Sequence, residues 1–500
     1  MKQRLLAGID IGTQGVKAAI FDPHGRTVGE GFVRSRLIEP APGVTEEDPE
    51  FQYASVLEAL SLSLASGNLD PARITALAVD GQMAGVIGIG EDGRAVTPYD
   101  SWLDTRCAPY IDCMRREAEN EIIQKTGNPP SFNHGPKILW WRHERPDIYK
   151  RIVSFVQPGG YVGMRLCGLA ASEAFIDHTY LHFSGFADNA AARWDEALAA
   201  RFDVPLSQLP RIIAPEDVVG TVSREAARTT GLSPDTVVAA GLGDTAASFL
   251  AAGAVREGIC VDVAGSAAVF AGTVASFRPD TGVKILGFGR SAVPALWHPY
   301  AYIAGGGLNL EWFKDQVAGR RGNPPSLEEL SALAKAGEPS PDDPFFIPHL
   351  HGRVSPSRPR LRGAWVGLSR AHDLGTLFRA VLEGVALEYG LYAARLSELY
   401  PEHALQEVRV TGGGEKSALW NRMKAAVLGV PAVRITGSVG APAGAALVAG
   451  RAVGLFPDLA SAADTWVTTG EQTECDPAAR AHALRRLPKY EKLLSLLEEF

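Results

Sequence analysis

Short runs of apolar residues recur along the chain, and longer stretches with the spacing of amphipathic helices separate them. The runs have the length and apolar character of buried strands, and they lie at residues 5–9, 16–21, 74–79, 237–240, 259–263 and 408–410. The helix-like stretches lie near residues 54–65, 327–334, 374–399 and 417–428. Strands that alternate with helices along a whole chain predict an α/β fold, in which helices cover a sheet.

Length and an internal repeat predict two domains. A chain of 500 residues exceeds what one hydrophobic core usually organises. We place the seam at the glycine-rich segment GLGDTAASFLAAGAVREG (241–258) and expect domains at residues 1–248 and 249–500. The segment AGIDIGTQ (7–14) is echoed by CVDVAGSA (260–267), since both run through a strand, an acid, a glycine and a hydroxyl. The repeat favours two similar domains that face each other across a cleft.

Composition and charge argue against several classes of protein. The formal net charge of −8 and the pI near 5.8 argue against a general nucleic-acid binder, which needs a basic surface. The sequence has neither an apolar run of about 18 residues nor a signal-peptide pattern, so we expect a cytoplasmic chain without a membrane partner. Five cysteines without a CxxC pair are expected to be reduced structural thiols.

The turn after the first strand could bind phosphate. It consists of Gly12, Thr13, Gln14 and Gly15. Glycines let backbone N–H groups approach an anion, and the threonine hydroxyl adds a donor. Asp10 at the edge of the turn could hold Mg²⁺ through water, and Lys17 would supply a positive charge nearby. The alternative is an ordinary tight hairpin.

Two further glycine turns extend this hypothesis. In VAGSAAVF the candidates are Gly265 and Ser266, and in VRVTGGGEKSALWNRM they are Gly413, Gly414, Ser417 and Asn421. Consecutive glycines allow a ring or a ribose to approach the backbone, and a helix N-terminus favours negative charge. The GxxxxGK[ST] pattern does not occur in the chain, and GGGEKS (412–417) lacks GxGxxG spacing.

These motifs, and the order in which they occur along the chain, resemble those of the FGGY carbohydrate kinases. This family belongs to the actin, hexokinase and Hsp70 ATPase superfamily. The resemblance runs from about residue 4 to about residue 450 and is greatest to the xylulokinases of that family. The motifs that carry it are DIGTQGVKA, DGQMAG (80–85), SWLDTRC (101–107), GLGDTAAS (241–248), VAGSAAVF, TGGGEKS and the helix signature at 367–388.

The resemblance implies two actin-like, ribonuclease H-like ATPase domains around a catalytic cleft. It also implies ATP-dependent phosphorylation of a sugar hydroxyl with Mg²⁺, for which a ketopentose such as xylulose is the first candidate. Ribulose, a hexulose, glycerol or erythritol remain alternatives, as do an actin-like ATPase and a sugar-binding protein without activity. The expected partners are ATP and a sugar or polyol, and assembly as a homodimer is left open.

The resemblance also assigns roles to single residues. Asp244 would be the general base that accepts the proton of the sugar hydroxyl; the alternative is a helix N-cap. Asp10 would hold Mg²⁺. The sugar pocket would be formed by Gln82, Met83, Trp102, Asp104 and Arg106. The alternatives are core packing for Met83 and a structural role at the surface for Trp102, Asp104 and Arg106. The acidic segment GVTEEDPE (43–50) is expected to cap a helix.

The chain departs from the family at three places. Xylulokinases usually have a histidine after the methionine of the sugar motif, where this chain has Ala84. The missing imidazole leaves open which sugar is phosphorylated. The usual GER turn is replaced by Gly352, Arg353 and Val354, and SVGAPAGAA (438–446) lacks the usual acidic residue.

Overall fold

The computed structural model describes residues 4–319, 322–336 and 339–498, and its elements confirm the α/β prediction. Its helices are α1 (Pro49–Ser66), α2 (Ala108–Thr126), α3 (His134–Glu144), α4 (Pro146–Tyr149), α5 (Pro158–Cys167), α6 (Glu196–Arg201), α7 (Arg224–Thr230), α8 (Asp244–Ala251), α9 (Gly307–Trp312), α10 (Leu327–Ala336), α11 (Leu374–Leu399), α12 (Ala418–Leu428), α13 (Ala441–Ala452), α14 (Leu459–Trp466) and α15 (Pro477–Leu497). Within the described ranges, no helix is both long enough and apolar enough to span a membrane.

Two large mixed sheets organise the two halves of the chain. The first contains β1 (Leu5–Ile11), β2 (Gly15–Phe21), β3 (Thr27–Arg34), β4 (Ile74–Gly81), β5 (Val218–Thr221), β6 (Val237–Ala239) and β7 (Leu242–Gly243). The second contains β8 (Ile259–Ala264), β9 (Ala268–Ala271), β10 (Gly287–Arg290), β11 (Trp297–Ile303), β12 (Glu407–Thr411), β13 (Ala432–Thr436) and β14 (Thr468–Thr473). Short two-stranded sheets pair Glu46–Glu47 with Tyr99–Asp100, Ile87–Ile89 with Ser154–Val156, Phe175–Asp177 with Arg211–Ile213, Ala187–Asp188 with Arg193–Trp194, and Phe345–Ile347 with Ala364–Val366.

The two large sheets share a topology. The first has the order β5-β6-β4-β1-β2-β3, with β7 also paired to β4, and the second has the order β10-β11-β9-β8-β12-β13-β14. In each sheet the first strand is antiparallel to the next strand in the chain and parallel to a strand from much later in the chain. The repeated segments thus occupy equivalent places, β1 with its turn and β8 with its turn.

Helix α8 packs on both sheets, and α13 packs on the first sheet and on α8. Leu250 of α8 and most of α13 pack on the first sheet, while Phe249 of α8 packs against Val261 of β8. The contacts are close, because a Cβ at Gly444 would lie 2.2 Å from the backbone oxygen of Ala247. A boundary between residues 248 and 249 falls within α8, and the proposed division stays a prediction.

A buried ionic cluster joins α11, α15 and the loop that carries the altered GER turn. The Glu388 carboxylate accepts hydrogen bonds from Arg353 at 3.1 Å and from the Tyr490 hydroxyl at 2.9 Å, and it lies 3.0 Å from His349 Nε2. Burial by itself would raise the pKa of Glu388, but the charge of Arg353 and the contact with His349 lower that pKa to about 2. The arginine of the altered turn therefore anchors the loop to the core.

We expect Glu388→Gln to lower the free energy of unfolding at pH 7 by about 3–5 kcal/mol, because it removes the buried counter-charge of Arg353. Since the pKa of Glu388 is lowered, its stabilising contribution is present above about pH 4.5 and is lost as the pH falls toward 2. Chemical denaturation should therefore show a smaller difference in the free energy of unfolding between the wild type and Glu388→Gln at pH 3 than at pH 7.

The control is Glu498→Gln. Glu498 also approaches Arg353, at 3.8 Å, but its side chain is 29% exposed, so the loss should be below about 1 kcal/mol. Equal losses for the two variants would contradict the argument from burial.

Candidate active site

The turn after β1 is a tight hairpin turn whose tip carries Thr13 and Gln14. Gly12 N–H donates to the Gly15 oxygen at 3.1 Å, and Gly15 N–H donates to the Gly12 oxygen at 3.3 Å. Ser35 covers two carbonyl groups, since its hydroxyl donates to Gly12 O and its N–H donates to Gln14 O, each at 3.1 Å. Among the described hydrogen bonds, none uses the N–H groups of Thr13 and Gln14. The carbonyls of Gly12, Gln14 and Gly15 thus have donors, and two N–H groups of the turn are available for an anion.

Three carboxyl groups meet where β1, β4 and β7 end. The parallel register of β1 and β4 sets Asp10 opposite Asp80, and that of β7 and β4 sets Leu242 opposite Asp80, two residues before Asp244. Burial raises the pKa of Asp10 to about 6 and, together with the charge of Asp10, that of Asp244 to about 7. Burial and the neighbouring carboxyls raise the pKa of Asp80 well above its usual value.

Asp80 is not among the site residues predicted from the sequence, although it is the first residue of the DGQMAG motif. The signal was available, because both Asp10 and Asp80 end an apolar run, and parallel strands have their carboxyl ends at the same edge of a sheet. The pairing of the two strands, however, cannot be inferred from either run alone.

The carboxyl cluster suits a hard divalent cation. Asp10 Oδ1 and both carboxyl oxygens of Asp80 are buried, and the only hydrogen bond that they make among the described residues is the one that the two carboxyl groups share when one is protonated. Within the described residues, no group of three or more His, Cys, Asp or Glu side chains could hold a metal ion. Mg²⁺ usually keeps several waters and is held by one or two carboxylates together with substrate phosphates. This donor set therefore fits a Mg²⁺ ion that accompanies a nucleotide.

Asp244 is the first residue of α8, and Gly243 occupies the N-cap position, so the N-cap alternative does not describe its place. Asp244 Oδ1 accepts hydrogen bonds from Thr245 N–H at 2.6 Å and from the Thr245 hydroxyl at 3.1 Å. The preceding turn is also fixed, since Gly243 N–H donates to the Thr179 hydroxyl at 2.9 Å and Tyr180 donates to the oxygen of Leu242 at 3.3 Å. The carboxyl group is thus held by its own turn.

Gln82 and Met83 lie beside this turn, but most of their side-chain contacts are with the protein. Gln82 is buried, and its amide donates to Glu47 Oε1 at 2.8 Å. Met83 is buried too, its side chain packs on Gly243, and its carbonyl oxygen lies 2.6 Å from His134 Nε2. Gln82 Oε1 has no protein donor, so it is the polar atom of this pair that remains free.

Asp104 and Arg106 form the rigid base of the wall that carries Trp102. Asp104 is buried and accepts from Thr45 N–H at 2.9 Å. The Arg106 guanidinium lies 2.9 Å from Asp104 and 2.8 Å from Glu46, and it stacks over the Trp140 ring at 4.4 Å. Both predicted residues therefore have protein partners.

Trp102 differs from the rest of this wall because it is 44% exposed. Its indole N–H donates to the Thr13 hydroxyl at 2.9 Å, so this side chain reaches the turn after β1.

The acidic segment at 43–50 contributes more than the predicted helix cap. Asp48 does cap α1, accepting from Glu50 N–H at 2.9 Å. Glu46 and Glu47, in contrast, contact two of the predicted sugar-binding residues, Arg106 and Gln82. Burial raises the pKa of Glu47. A helix cap needs only one acidic side chain. The additional carboxylates of the segment could therefore have indicated a second role in the sequence.

A cavity of about 670 Å³ lies between the second and third glycine turns. Five of the predicted nucleotide-binding residues line it, namely Gly265, Ser266, Gly413, Gly414 and Ser417. The remaining wall is apolar in part and charged in part, with Leu308, Leu327, Phe378, Leu382, Leu419, Glu311, Glu328, Lys335, Lys416 and Arg422 among its residues. Its size and its mixed walls suit an adenosine group.

Asn421 and Lys17, also predicted at the nucleotide site, are engaged elsewhere. Asn421 is buried and donates to the Glu415 carbonyl at 2.8 Å, so it supports the third turn from behind. Lys17 lies opposite Asp10 in β2, forms an ion pair with Glu30 at 3.1 Å and donates to the Val439 carbonyl at 3.5 Å.

Asp262, the acid of the second repeat, does not match Asp10 in space. It precedes its turn by one residue more than Asp10 does, and a shift of one residue moves a side chain to the opposite face of a strand. Asp262 is therefore buried, where it pairs with Lys424 and accepts from the Tyr389 hydroxyl at 2.6 Å.

We expect Asp80→Asn to raise the melting temperature in the absence of divalent cations at pH 7–8. The raised pKa of Asp80 means that its favourable contribution to folding is present below about pH 3.8 and is lost as the pH rises through the folded-state pKa. The increase in melting temperature of Asp80→Asn over the wild type should therefore become smaller as the pH is lowered toward 4. Asp280→Asn is the control, because the pKa of Asp280 is lowered beside Arg395 and this variant should be destabilised at pH 7. A lower melting temperature of Asp80→Asn at every pH would contradict the prediction.

Comparison with known proteins agrees with this geometry. Residues 5–251 match the model of the N-terminal domain of the FGGY family of carbohydrate kinases, and residues 266–453 match that of its C-terminal domain. The chain is 28% identical over 451 residues to xylulose kinase of Escherichia coli (strain K12), covering 88% of this chain and 89% of that protein. It is 25% identical over 500 residues to xylulose kinase of Bacillus subtilis (strain 168), covering 99% and 96%.

The fold agrees as well. The structure matches that of xylulose kinase from Rhodospirillum rubrum with a TM-score of 0.90 and 28% identity, over 99% of each chain. This similarity confirms the two-domain α/β architecture that the sequence motifs implied. Because the two domain models together match most of the sequence, the chain belongs to the FGGY family of carbohydrate kinases.

Proposed function

We propose that this carbohydrate kinase transfers the γ-phosphoryl group of ATP, with Mg²⁺, to a hydroxyl of a ketopentose such as xylulose. The observation that carries the proposal is the buried carboxyl group of Asp244 beside Asp10, at the same sheet edge as the anion-binding turn. Such an arrangement brings a base, a cation site and phosphate donors to one point.

Asp244 is the proposed general base. Both of its hydrogen bonds from Thr245 go to Oδ1, which leaves Oδ2 to accept the proton of the attacking hydroxyl. Burial raises the pKa of Asp244 to about 7, and a base is most effective when its pKa lies near the working pH.

The phosphate groups would be held by the turn after β1. Thr13 and Gln14 would donate their N–H groups to phosphate oxygens, with Gly12 in the same turn and Lys17 as a nearby positive charge. Asp10, with Asp80 behind it, would hold the cation. Bound Mg²⁺ would neutralise charge that develops on the phosphate oxygens during transfer.

The nucleotide would occupy the cavity between the second and third turns. Gly265 and Ser266 would contact phosphates, and Gly413, Gly414 and Ser417 would contact the adenosine group, with Asn421 as a support. We retain the division at residues 1–248 and 249–500, with closure of the cleft around both substrates, because phosphoryl transfer to a sugar requires that water be excluded. A chain that uses ATP and a metabolic sugar is further proposed to act in the cytoplasm.

Xylulose is favoured because the relatives reported above are named xylulose kinases. Ala84 favours the alternative sugars, because it is the partly exposed residue of the DGQMAG motif and has no side-chain group that could bind a sugar hydroxyl. The Tyr99 hydroxyl is buried beside the backbone of Gly85, and no side chain of the described residues is its hydrogen-bond partner. Burial raises the pKa of Tyr99, and the charges of Glu47 and Asp244 raise it further. Tyr99 is therefore the candidate replacement for the missing imidazole.

We expect Asp244→Asn to lower kcat by about 10²–10⁴-fold with little change in sugar affinity, because an amide cannot accept the proton. The measurement is sugar-dependent ADP formation by the folded variant. Wild-type kcat/KM should fall as the pH drops below about 7, where Asp244 becomes protonated, and the variant should lose this dependence.

Asp373→Asn is the matched control. Asp373 is the N-cap of α11 and accepts from Thr376 N–H at 2.8 Å, and asparagine caps helices about as well as aspartate. Its turnover should remain normal. Near-normal turnover of Asp244→Asn as well would eliminate the assignment of the base.

We expect Ala84→His to raise kcat/KM for D-xylulose by about 5- to 100-fold, the value of a regained hydrogen bond to substrate. Kinetics with D-xylulose, D-ribulose, glycerol and erythritol would measure this change. If D-xylulose is already a good substrate and Ala84→His changes nothing, Tyr99→Phe should lower kcat/KM instead. No effect of either variant would mean that neither position recognises the sugar.

A further inference from the structure

Trp102 joins the two substrate sites of the proposed kinase. Its indole N–H donates to the Thr13 hydroxyl at 2.9 Å, across 89 positions of sequence. Its ring is 44% exposed, at the place where the family resemblance puts the sugar wall. One exposed side chain, which the resemblance assigns to the sugar, therefore contacts the turn after β1.

The backbone that carries Trp102 is rigid. Lys137 is buried, and its ammonium group donates to the carbonyl oxygens of Ser101 at 2.8 Å and Asp104 at 3.2 Å. Asp104 N–H donates back to Ser101 O at 2.9 Å, and Thr45 N–H donates to the Asp104 carboxylate at 2.9 Å. Since both sides of Trp102 are fixed, the indole has little freedom beyond its own side-chain torsions.

The bond from Trp102 also decides what the Thr13 hydroxyl can do. A hydroxyl has one proton to donate and two lone pairs that accept. The Trp102 N–H occupies a lone pair, and among the described hydrogen bonds none uses the Thr13 hydroxyl proton. The proton is thus free to be donated to a phosphate oxygen, in the same turn as the available N–H groups of Thr13 and Gln14.

We propose that Trp102 is a positioning residue for the nucleotide phosphate, acting through Thr13, and that it thereby couples sugar binding to phosphate binding. A sugar packed against the Trp102 ring would restrict the torsions of this side chain. The entropy cost of fixing the indole would then be met by sugar binding, and the nucleotide would bind to a side chain that is already ordered. The Thr13 hydroxyl would then be oriented in advance for the phosphate. Coupling of this kind is reciprocal, so a nucleotide must strengthen sugar binding by the same factor.

This inference rests on the proposed function, but it predicts a distinct result in a double-mutant cycle. Trp102→Phe keeps an aromatic ring and removes the N–H, whereas Thr13→Val removes the hydroxyl and keeps the shape. At saturating sugar, Trp102→Phe should lower kcat/KM for ATP about 3- to 10-fold, as expected for one hydrogen bond. In the Thr13→Val background the same change should have an effect below about 2-fold.

Thr13→Ser is the conservative control, because it keeps the hydroxyl and should preserve the effect of Trp102→Phe. Calorimetry with a non-hydrolysable ATP analogue and Mg²⁺, with and without sugar, repeats the cycle without catalysis. Sugar should tighten analogue binding in the wild type, and both single variants should weaken this coupling. Since Trp102 is half-exposed, the melting temperature should hardly change.

Equal effects of Trp102→Phe in the two backgrounds would overturn the proposal, as would an effect confined to the KM for sugar. Absence of ADP formation by the wild type with every sugar and polyol would instead refute the proposed function. In that case the analogue-binding cycle still decides whether Trp102 acts through Thr13.

Discussion

The parallel register of β1, β4 and β7 is the constraint on which the active site depends. It ends three strands at one edge of a sheet and sets Asp10 opposite Asp80, with Asp244 two residues beyond the last pair. Like charges that are buried together oppose folding, so the register holds only because each strand is fixed elsewhere. The apolar residues of β1 and β4 pack on α1 and α5 on one face and on α13 on the other. The packing of the sheet thus maintains an arrangement that the carboxyl groups alone would disrupt.

The seam between the sheets extends this constraint to the second half of the chain. Helix α8 begins at Asp244 and packs on both sheets, so the base is tied to a helix that both halves contact. Gly444 and Gly8 permit the approach of α13, since a Cβ on either would lie within 2.2 Å of a backbone oxygen. A movement of one half against the other would therefore be transmitted to α8. This geometry gives closure of the cleft a direct route to the position of the proposed base.

The fold was predictable from the sequence to a large extent, and the site only in part. The apolar runs locate the strands because burial on both faces demands continuous apolar residues, and the long helix was predicted with its observed bounds, Leu374–Leu399. Asp10, Asp244 and the glycine turns follow from local motifs. Asp80, Glu47 and the bond of Trp102 to Thr13 depend on contacts between distant segments, which no local pattern encodes. The role of Lys17 stays a prediction of its motif, and the ion pair with Glu30 is a further contact between distant positions that the motif did not indicate.

The residues proposed for phosphoryl transfer and those proposed for sugar recognition lie in different parts of this structure. The carboxyl groups belong to strand ends and to the first turn of α8, where a change of one residue alters the register or the base. The candidates for sugar contact belong to the loops around residues 82–85 and 99–106, which are anchored by Lys137, Asp104 and Arg106 rather than by the sheet. A substitution such as Ala84 can therefore change the pocket without moving Asp244. Trp102 is the exception, because it belongs to the proposed sugar-binding residues and also contacts Thr13 of the proposed phosphate turn. Selection for a new sugar would thus be free to alter Ala84 or Tyr99 but would be restricted at Trp102, where a change in sugar contact also alters the phosphate site.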